Sequence, residues 1–482
     1  MYIYKEEDIR HADETAVKHG TSMTKLMDCA GKGIFNQLQP YINKTDHILI
    51  LAGTGNNGGD GIVLASYLAQ AGFSVELTFP LGEAKSQTAI HHLEHYQRAP
   101  YTVANFSTRK DYKETVIVDS LLGIGVSLPL RQNVTKIVQW CNKRDSLKIA
   151  IDLPTGLVAN HGIIGEEVFD ADHTFTLHGA KPSAFLMPSS TYYGEIHAVD
   201  IGLPQTSLTQ TISQQTVQAG FSKRPFGAHK GNFGTGLLIA GTDEMPGSVT
   251  LSSIGAIRTG IGKLLVGTTK HASSIVANFV PEATFSFQIR EILAQNRLPS
   301  TVQTIAIGPG LDDENEVKQT IDTLWETNKT LILDAGALLP RDNWYRKAPT
   351  ILTPHPGEFS RLIGVDTETI QANRIELAKV FSTKHKLFLI LKGTYTTVAF
   401  PNGEVFINRT GNDALAKGGS GDVLTGMLLG MLHNTKSVED AVRNAVYIHG
   451  LCADDWKKDA ATHTMVASDF QYLLPKVMHS LE

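Results

Sequence analysis

The chain has 482 residues, 42% hydrophobic and 19% charged, with a net charge of -5. That length exceeds one ordinary domain of roughly 150 residues and suggests two or three, with a sizeable core and no basic footprint for nucleic acid. Cys29, Cys141 and Cys452 are too scattered for a disulfide framework, the opening MYIYKEEDIR lacks an apolar signal core, and no apolar run approaches the ~20 residues of a membrane span. A cytoplasmic protein with no membrane or nucleic-acid partner is therefore expected.

Residues 13–38 carry a helical apolar pattern, and HILILA at 47–52 reads as a buried strand that runs into glycines. A helix over 62–71, a strand over 74–79, and strands over 115–118 and 147–151 follow. The last two end at Asp119 and Asp152. Strands spaced by helices predict a parallel sheet with ligands at its carboxyl ends. AGTGNNGGDG at 52–61 follows a strand and opens a helix, and Gly53, Gly55 and Gly58 match the GxGxxG spacing. Such a loop lets backbone and helix amides approach an anion. No Lys-Ser or Lys-Thr follows, which excludes a P-loop. Asn56, Asn57 and Asp60 exceed what a packing turn needs. Glu76, mid-strand, is poorly placed for the acid of a simple dehydrogenase. DSLLGIG at 119–125 and IDLPTG at 151–156 add two loops at neighbouring strand ends. Asn57, Asp119 and Thr155 are hard oxygen donors that could hold an alkali or alkaline-earth cation.

These three loops, with LMDCAG at 26–31 and GAKPSAFLMPSSTYYGEIHAVDIGLP at 179–204, resemble the NAD(P)H-hydrate epimerase family, the YjeF N-terminal domain, over roughly residues 1–204. The resemblance implies a Rossmann-like three-layer α/β/α fold. It implies that Asn56, Asn57, Gly58, Gly59 and Asp60, with Gly123, Ile124, Gly125, Val126, Ser127, Leu128 and Pro129, cradle the hydrated nucleotide. It implies K+ on Asn57, Asp119 and Thr155, with Asp152 as the acid–base group facing substrate. Thr155 stands where serine is usual, and Asp28 where glutamate is.

Residues 204–224, rich in Thr, Gln and Ser, read as the junction, dividing the chain into domains 1–210 and 211–482. Strands are predicted at 237–240, 263–266, 304–307, 330–333, 350–352 and 387–391, with a hairpin over 396–400 and 404–407. NDALAKGGSGDVLTG at 412–426 runs into a helical apolar stripe, Val423, Leu424, Met427, Leu428, Met431 and Leu432. Gly418, Gly419 and Gly421 then sit at a helix N-terminus as an anion hole, and Asp422 in the first turn suits a base acting on a hydroxyl. TPHPGE at 353–358 offers His355. LKGTYT at 391–396, IGPGL at 307–311 and LDAGAL at 333–338 close further strands, the last with Asp334.

Together these segments resemble the ADP/ATP-dependent NAD(P)H-hydrate dehydratase family, which has a ribokinase-like α/β fold, from about Arg224 onward. The resemblance implies that Ser248, Gly310, His355 and Asp422 contact the hydrated nucleotide. Lys392, Gly393, Thr394, Tyr395, Thr396 and Gly421 would hold ADP or ATP, and Mg2+ would assist. Ser248 and Lys417 depart from the residues common there. The expected substrates are NADHX and NADPHX, with R and S forms interconverted by the first domain and the S form dehydrated by the second. Asp152 and Asp422 are the expected catalytic residues, and a homo-oligomer is expected. The competing reading is a ribokinase-like vitamin or sugar kinase fused to a regulatory nucleotide-binding module.

Overall fold

A computed structural model describes every residue except 100, 102, 109–111, 296 and 342. It separates into two compact units, Met1–Thr209 with Gln371–Asn373, and Gln210–Ile370 with Arg374–Glu482.

The first unit is built on seven strands: β1 (His47–Ala52), β2 (Ser74–Thr78), β3 (Val103–Ala104), β4 (Val116–Ser120), β5 (Leu147–Ile151), β6 (His173–Leu177) and β7 (Glu195–Val199). They form one parallel sheet in the order β3-β2-β1-β4-β5-β6-β7. Successive side chains of a strand point to opposite faces. Accordingly Ile48, Ile50 and Ala52 of β1 enter one apolar cluster and Leu49 and Leu51 another. Both faces are covered, as a parallel sheet requires. The order reverses direction of growth at β1 and β4, and the glycine loop after β1 lies at that switch point.

The second unit holds a ten-stranded sheet. Its members are β8 (Thr209–Thr211), β9 (Thr235–Ile239), β10 (Lys263–Gly267), β11 (Thr284–Ser286), β12 (Val302–Ile307), β13 (Thr330–Leu333), β14 (Thr350–Leu352), β15 (Phe388–Leu391), β16 (Thr397–Ala399) and β17 (Val405–Ile407). The order is β11-β10-β9-β12-β13-β14-β15-β16-β17-β8. Pairing is parallel from β11 to β15, and β16–β17 form the antiparallel hairpin expected around Pro401, Asn402 and Gly403. Helices Pro246–Arg258 and Ser420–Met431 cross at near backbone contact. A Cβ on Gly426 would lie 1.8 Å from the Ser252 carbonyl oxygen, and one on Gly255 would lie 2.4 Å from that of Val423. The glycines here are the condition for the crossing.

Several elements differ from the expected bounds for local reasons. The pattern over 13–38 is two helices, Glu6–Lys18 and Met23–Leu38, broken at Gly20, whose φ is +90°. The helix after β1 begins at Asn56, six residues earlier than the apolar pattern, because Asn and Gly in its first turns carry no periodicity. β4 extends through Ser120, so Asp119 belongs to the strand itself. The junction segment contains β8 and the helix Gln214–Gly220. Among the described residues, no helix is long and apolar enough to cross a membrane.

Candidate functional site

The carboxyl ends of β1, β4 and β5 open on a cavity of about 770 Å³. It is lined by Asn56, Asn57, Asp60, Gly123, Ile124, Gly125, Val126, Ser127, Pro129 and Asp152. Gly58, Gly59 and Leu128 lie outside its lining. Gly58 packs on the loop backbone, where a Cβ would meet the Gly53 carbonyl oxygen at 2.0 Å. Gly59 packs on Met27, whose sulfur would be 2.5 Å away. These two glycines let the loop fold tightly and the helix settle on its neighbour.

Asp152 follows β5 with φ +70°, a left-handed conformation that Asp tolerates better than most residues and that is frequent at functional sites. Its Oδ1 accepts from Leu177 N at 3.1 Å and from the fully buried Lys181 ammonium. Lys181 Nζ is also held by Thr176 Oγ1 at 3.1 Å and by the Leu177 and Gly179 carbonyls at 3.2 Å each. Asp60 and Asp13 share the cavity. Burial, then the negative charges of Asp152 and Asp13, push Asp60 well above the usual carboxylate range, and Lys181 opposes them. Asp13 is raised by burial and by Asp152. Asp152, Asp60 and Asp13 are thus coupled electrostatically to one buried ammonium, a kind of grouping that is frequent at functional sites. Sequence reasoning assigned no role to Asp13 and missed Lys181, whose signal was a lysine within GAKPSAF where a solvated charge would be out of place.

Beside this group, Asp119 is fully buried. Its Oδ1 accepts from Leu121 N at 3.0 Å and Thr155 Oγ1 at 2.8 Å, and its Oδ2 from Thr155 N at 2.8 Å. Burial pushes its carboxyl up to about 6 against these bonds. Asn57 Nδ2 donates to the Leu122 carbonyl at 2.8 Å, while its buried Oδ1 has no hydrogen-bond partner. A buried carboxylate whose burial outweighs its hydrogen bonds, and an orphaned amide oxygen, within one set of hard donors fit a bound cation such as K+.

In the second unit the glycine turn leads into helix Ser420–Met431. Gly419 caps it with φ +89°, so a side chain there would be strained. Asp422, in the first turn, lies near the Ser248 side chain, which favours its charged form. Burial, with the nearby Asp334 charge, raises Asp422 to about 6, opposed by Ser248 and Lys392. Gly310 lies against Ser248, its position for a Cβ only 2.8 Å from the serine Cβ.

Asp334 anchors the cluster. Its Oδ1 accepts from Thr353 Oγ1 at 2.7 Å and Lys392 Nζ at 3.0 Å, and its Oδ2 from Thr425 Oγ1 at 2.7 Å. Lys392 is 3.9 Å from Glu358 and close to Gly421, where a Cβ would be 3.4 Å from Nζ. Burial lowers the Lys392 pKa, but Asp334 and Glu358 outweigh it and the ammonium is raised. The strand-end loop is held from behind by buried Arg374, which donates to the Leu391 and Lys392 carbonyls at 2.6 and 2.8 Å. His355 caps helix Pro356–Ile363, its Nδ1 accepting from Gly357 N at 3.0 Å and Glu358 N at 3.2 Å, while its Nε2 lies 3.5 Å from Glu358 Oε1. Asp334 and Arg374 were not among the expected site residues. Asp334 was visible as a strand-end acid, whereas Arg374, inside a long helix, gave no signal.

A Rossmann-like unit with a cavity at its switch point, followed by an α/β unit whose glycine turn opens a helix beside a carboxylate, defines a two-unit α/β enzyme. Comparison with known proteins narrows the class. The NAD(P)H-hydrate dehydratase family matches residues 236–476, and the YjeF-related protein N-terminus matches residues 23–183. The bifunctional NAD(P)H-hydrate repair enzyme of Archaeoglobus fulgidus is 31% identical over 94% of this chain and 94% of its own length. The ADP-dependent (S)-NAD(P)H-hydrate dehydratase of Bacillus subtilis is 43% identical over 56% of this chain and 98% of its own. The crystal structure of the B. subtilis ADP/ATP-dependent NAD(P)H-hydrate dehydratase, co-crystallised with ATP/Mg2+, aligns with a TM-score of 0.55 at 42% identity, covering 57% of this chain and 99% of that one. The chain belongs to the bifunctional NAD(P)H-hydrate repair enzyme family.

Proposed function

We propose that the chain repairs NADHX and NADPHX, its first domain (1–210) epimerising the R and S forms and its second (211–482) dehydrating the S form to NAD(P)H at the expense of ADP or ATP. The observation that carries this reading is the placement of Asp422, raised to about 6, in the first turn of a helix that a glycine turn caps with no side chain over its amides. The hydroxyl on C6 of the hydrate is a poor leaving group. Asp422 takes its proton, and the oxygen accepts the terminal phosphoryl group of ADP, releasing AMP. Amides around Gly418–Gly421 stabilise charge on the moving phosphoryl group. Elimination of phosphate then restores the ring double bond. Lys392 and the 393–396 loop hold the nucleotide, with Lys392 oriented by Asp334. Ser248, Gly310 and the half-exposed His355 contact the hydrate. Both Asp334 oxygens are already engaged, so Mg2+ would be held chiefly by nucleotide phosphates, its usual mode, where it neutralises their charge.

In the first domain Asp152 and Lys181 form the acid–base pair at C6, with Asp13 and Asp60 holding further protons. Residues 56–60 and 123–129 cradle the nucleotide. Asn57, Asp119 and Thr155 would hold K+, which supplies positive charge to the loops that receive an anionic substrate. A cytoplasmic homo-oligomer completes the proposal; the free cysteines support the compartment. The test supplies purified protein with mixed hydrate epimers and ADP or ATP. Complete conversion to NADH with release of free phosphate is expected. Arrest at half would remove the epimerase, and a stable phosphorylated product would replace the dehydratase by a kinase.

A further inference from the structure

β6 and β7 pair in parallel with His173 opposite Glu195 and Phe175 opposite His197. Residues two apart on a strand share a face, so Glu195, His197 and His173 meet on one side of the sheet. His173 Nδ1 and His197 Nε2 are 3.1 Å apart, and Glu195 Oε2 lies 3.5 Å from the first and 3.9 Å from the second. Among the described residues, this is the one group of three His, Cys, Asp or Glu whose ligand atoms gather within 4.8 Å. Tyr41 packs on the His173 ring at 4.2 Å and Phe175 stacks on the His197 ring at 4.7 Å, fixing both imidazoles. The two histidines are largely buried while Glu195 is exposed.

We propose that His173, His197 and Glu195 form a binding site for a divalent first-row transition cation of the Zn2+ class at the amino end of the first unit's sheet. Tetrahedral bonds of about 2.0–2.1 Å set ligand atoms about 3.3 Å apart, and the three observed separations bracket that spacing. Two imidazoles and one carboxylate suit Zn2+, Co2+ or Ni2+ and disfavour Mg2+ or K+. The exposed side at Glu195 leaves a fourth position for water. The site is remote from the acid–base group, which lies at the carboxyl ends of the same sheet. It ties together the last two strands, of which β6 leads directly into His178–Lys181. A bound ion would therefore brace the segment that carries Lys181.

The test uses the full chain, stripped with chelator and titrated with Zn2+ alone, and then with Co2+, whose visible absorption reports tetrahedral ligation. His91 and His95, with rings 4.6 Å apart on helix Gln87–Arg98, are the competing pair, so His95→Gln is the control. Wild type and His95→Gln are expected to share one site that raises the thermal midpoint. His173→Gln should lose affinity by more than the roughly 10–100-fold cost of losing an outer-shell partner, and Glu195→Gln should weaken it measurably. Unchanged Zn2+ affinity in His173→Gln, or uptake abolished only by His95→Gln, overturns the proposal. Should His173→Gln fail to fold, Glu195→Gln decides alone: its side chain is exposed, and affinity equal to wild type refutes the site.

Discussion

Replacing Asp334 by Asn tests the electrostatic logic of the second centre, because it removes one charge and leaves the shape. Asp334 is 1% exposed and is bonded to Lys392 at 3.0 Å. Without it, Lys392 keeps Glu358, 3.9 Å away, and the weaker influence of Asp422. Breaking a buried ion pair costs about 3–5 kcal/mol, and the partial exposure of Lys392 argues for the lower figure. About 3 kcal/mol corresponds to a fall in the midpoint of roughly 6–12 °C for a unit of this size. The same substitution acts on Asp422 with a definite sign. Asp334 raises Asp422 and Lys392 lowers it, so removing the first and freeing the second must bring Asp422 below about 6. The assays are thermal unfolding and the pH dependence of NADH formation. In wild type the rate should fall as pH drops through about 6, where the base becomes protonated; in Asp334→Asn that limb should move to lower pH, with a reduced maximum from the misplaced ammonium. An acid limb that stays fixed or rises, with unaltered stability, would refute the coupling of these groups.

Four further outcomes follow from the same reasoning. Lys181→Met removes the ammonium that lowers Asp60 and Asp13, so epimerisation should cease while dehydration persists, and conversion of mixed epimers should stop at half; full conversion would exclude Lys181 from the chemistry. Thr155→Val deletes a bond to buried Asp119 and should cost about 1–3 kcal/mol by thermal unfolding, together with any K+ dependence of epimerisation. Because Asp119 is raised to about 6 when folded, the burial penalty is absent below its ordinary value and complete above about 6, so added K+ should stabilise wild type more at pH 7 than at pH 5. Gly419→Ala places a Cβ 2.5 Å from the Leu251 side chain at φ +89°, costing about 1–2 kcal/mol of backbone strain; AMP release should slow while epimer exchange is unaffected.

What could be read from the sequence was whatever repeats along the chain or punctuates it. HILILA, a buried run ending in glycine, gave β1 with its observed bounds, and each of the two glycine loops opens a helix, Asn56–Gln70 and Ser420–Met431, as its punctuation implied. β6 and β7 escaped because HTFTL and EIHAV mix polar with apolar residues, and their place follows only from the pairing of β6 on β5 and of β7 on β6 at the sheet edge. Lys181 escaped for a related reason. Its burial depends on Asp152, 29 residues earlier, just past the end of the preceding strand. Arg374 depends likewise on the carbonyls that end β15. Long-range charge compensation leaves no local mark, whereas turn chemistry does.

The bare crossing of helices Pro246–Arg258 and Ser420–Met431 has a consequence for how this centre can change. Ser248 rides on one helix and Asp422 on the other, and Ser252 Oγ also donates to the Asp422 carbonyl at 2.9 Å. Because main chain touches main chain, no side chain lies between them to be lengthened or trimmed. The gap between the base and its serine partner is thus a fixed dimension of the scaffold, and new substrates would have to be accommodated by the loops around it.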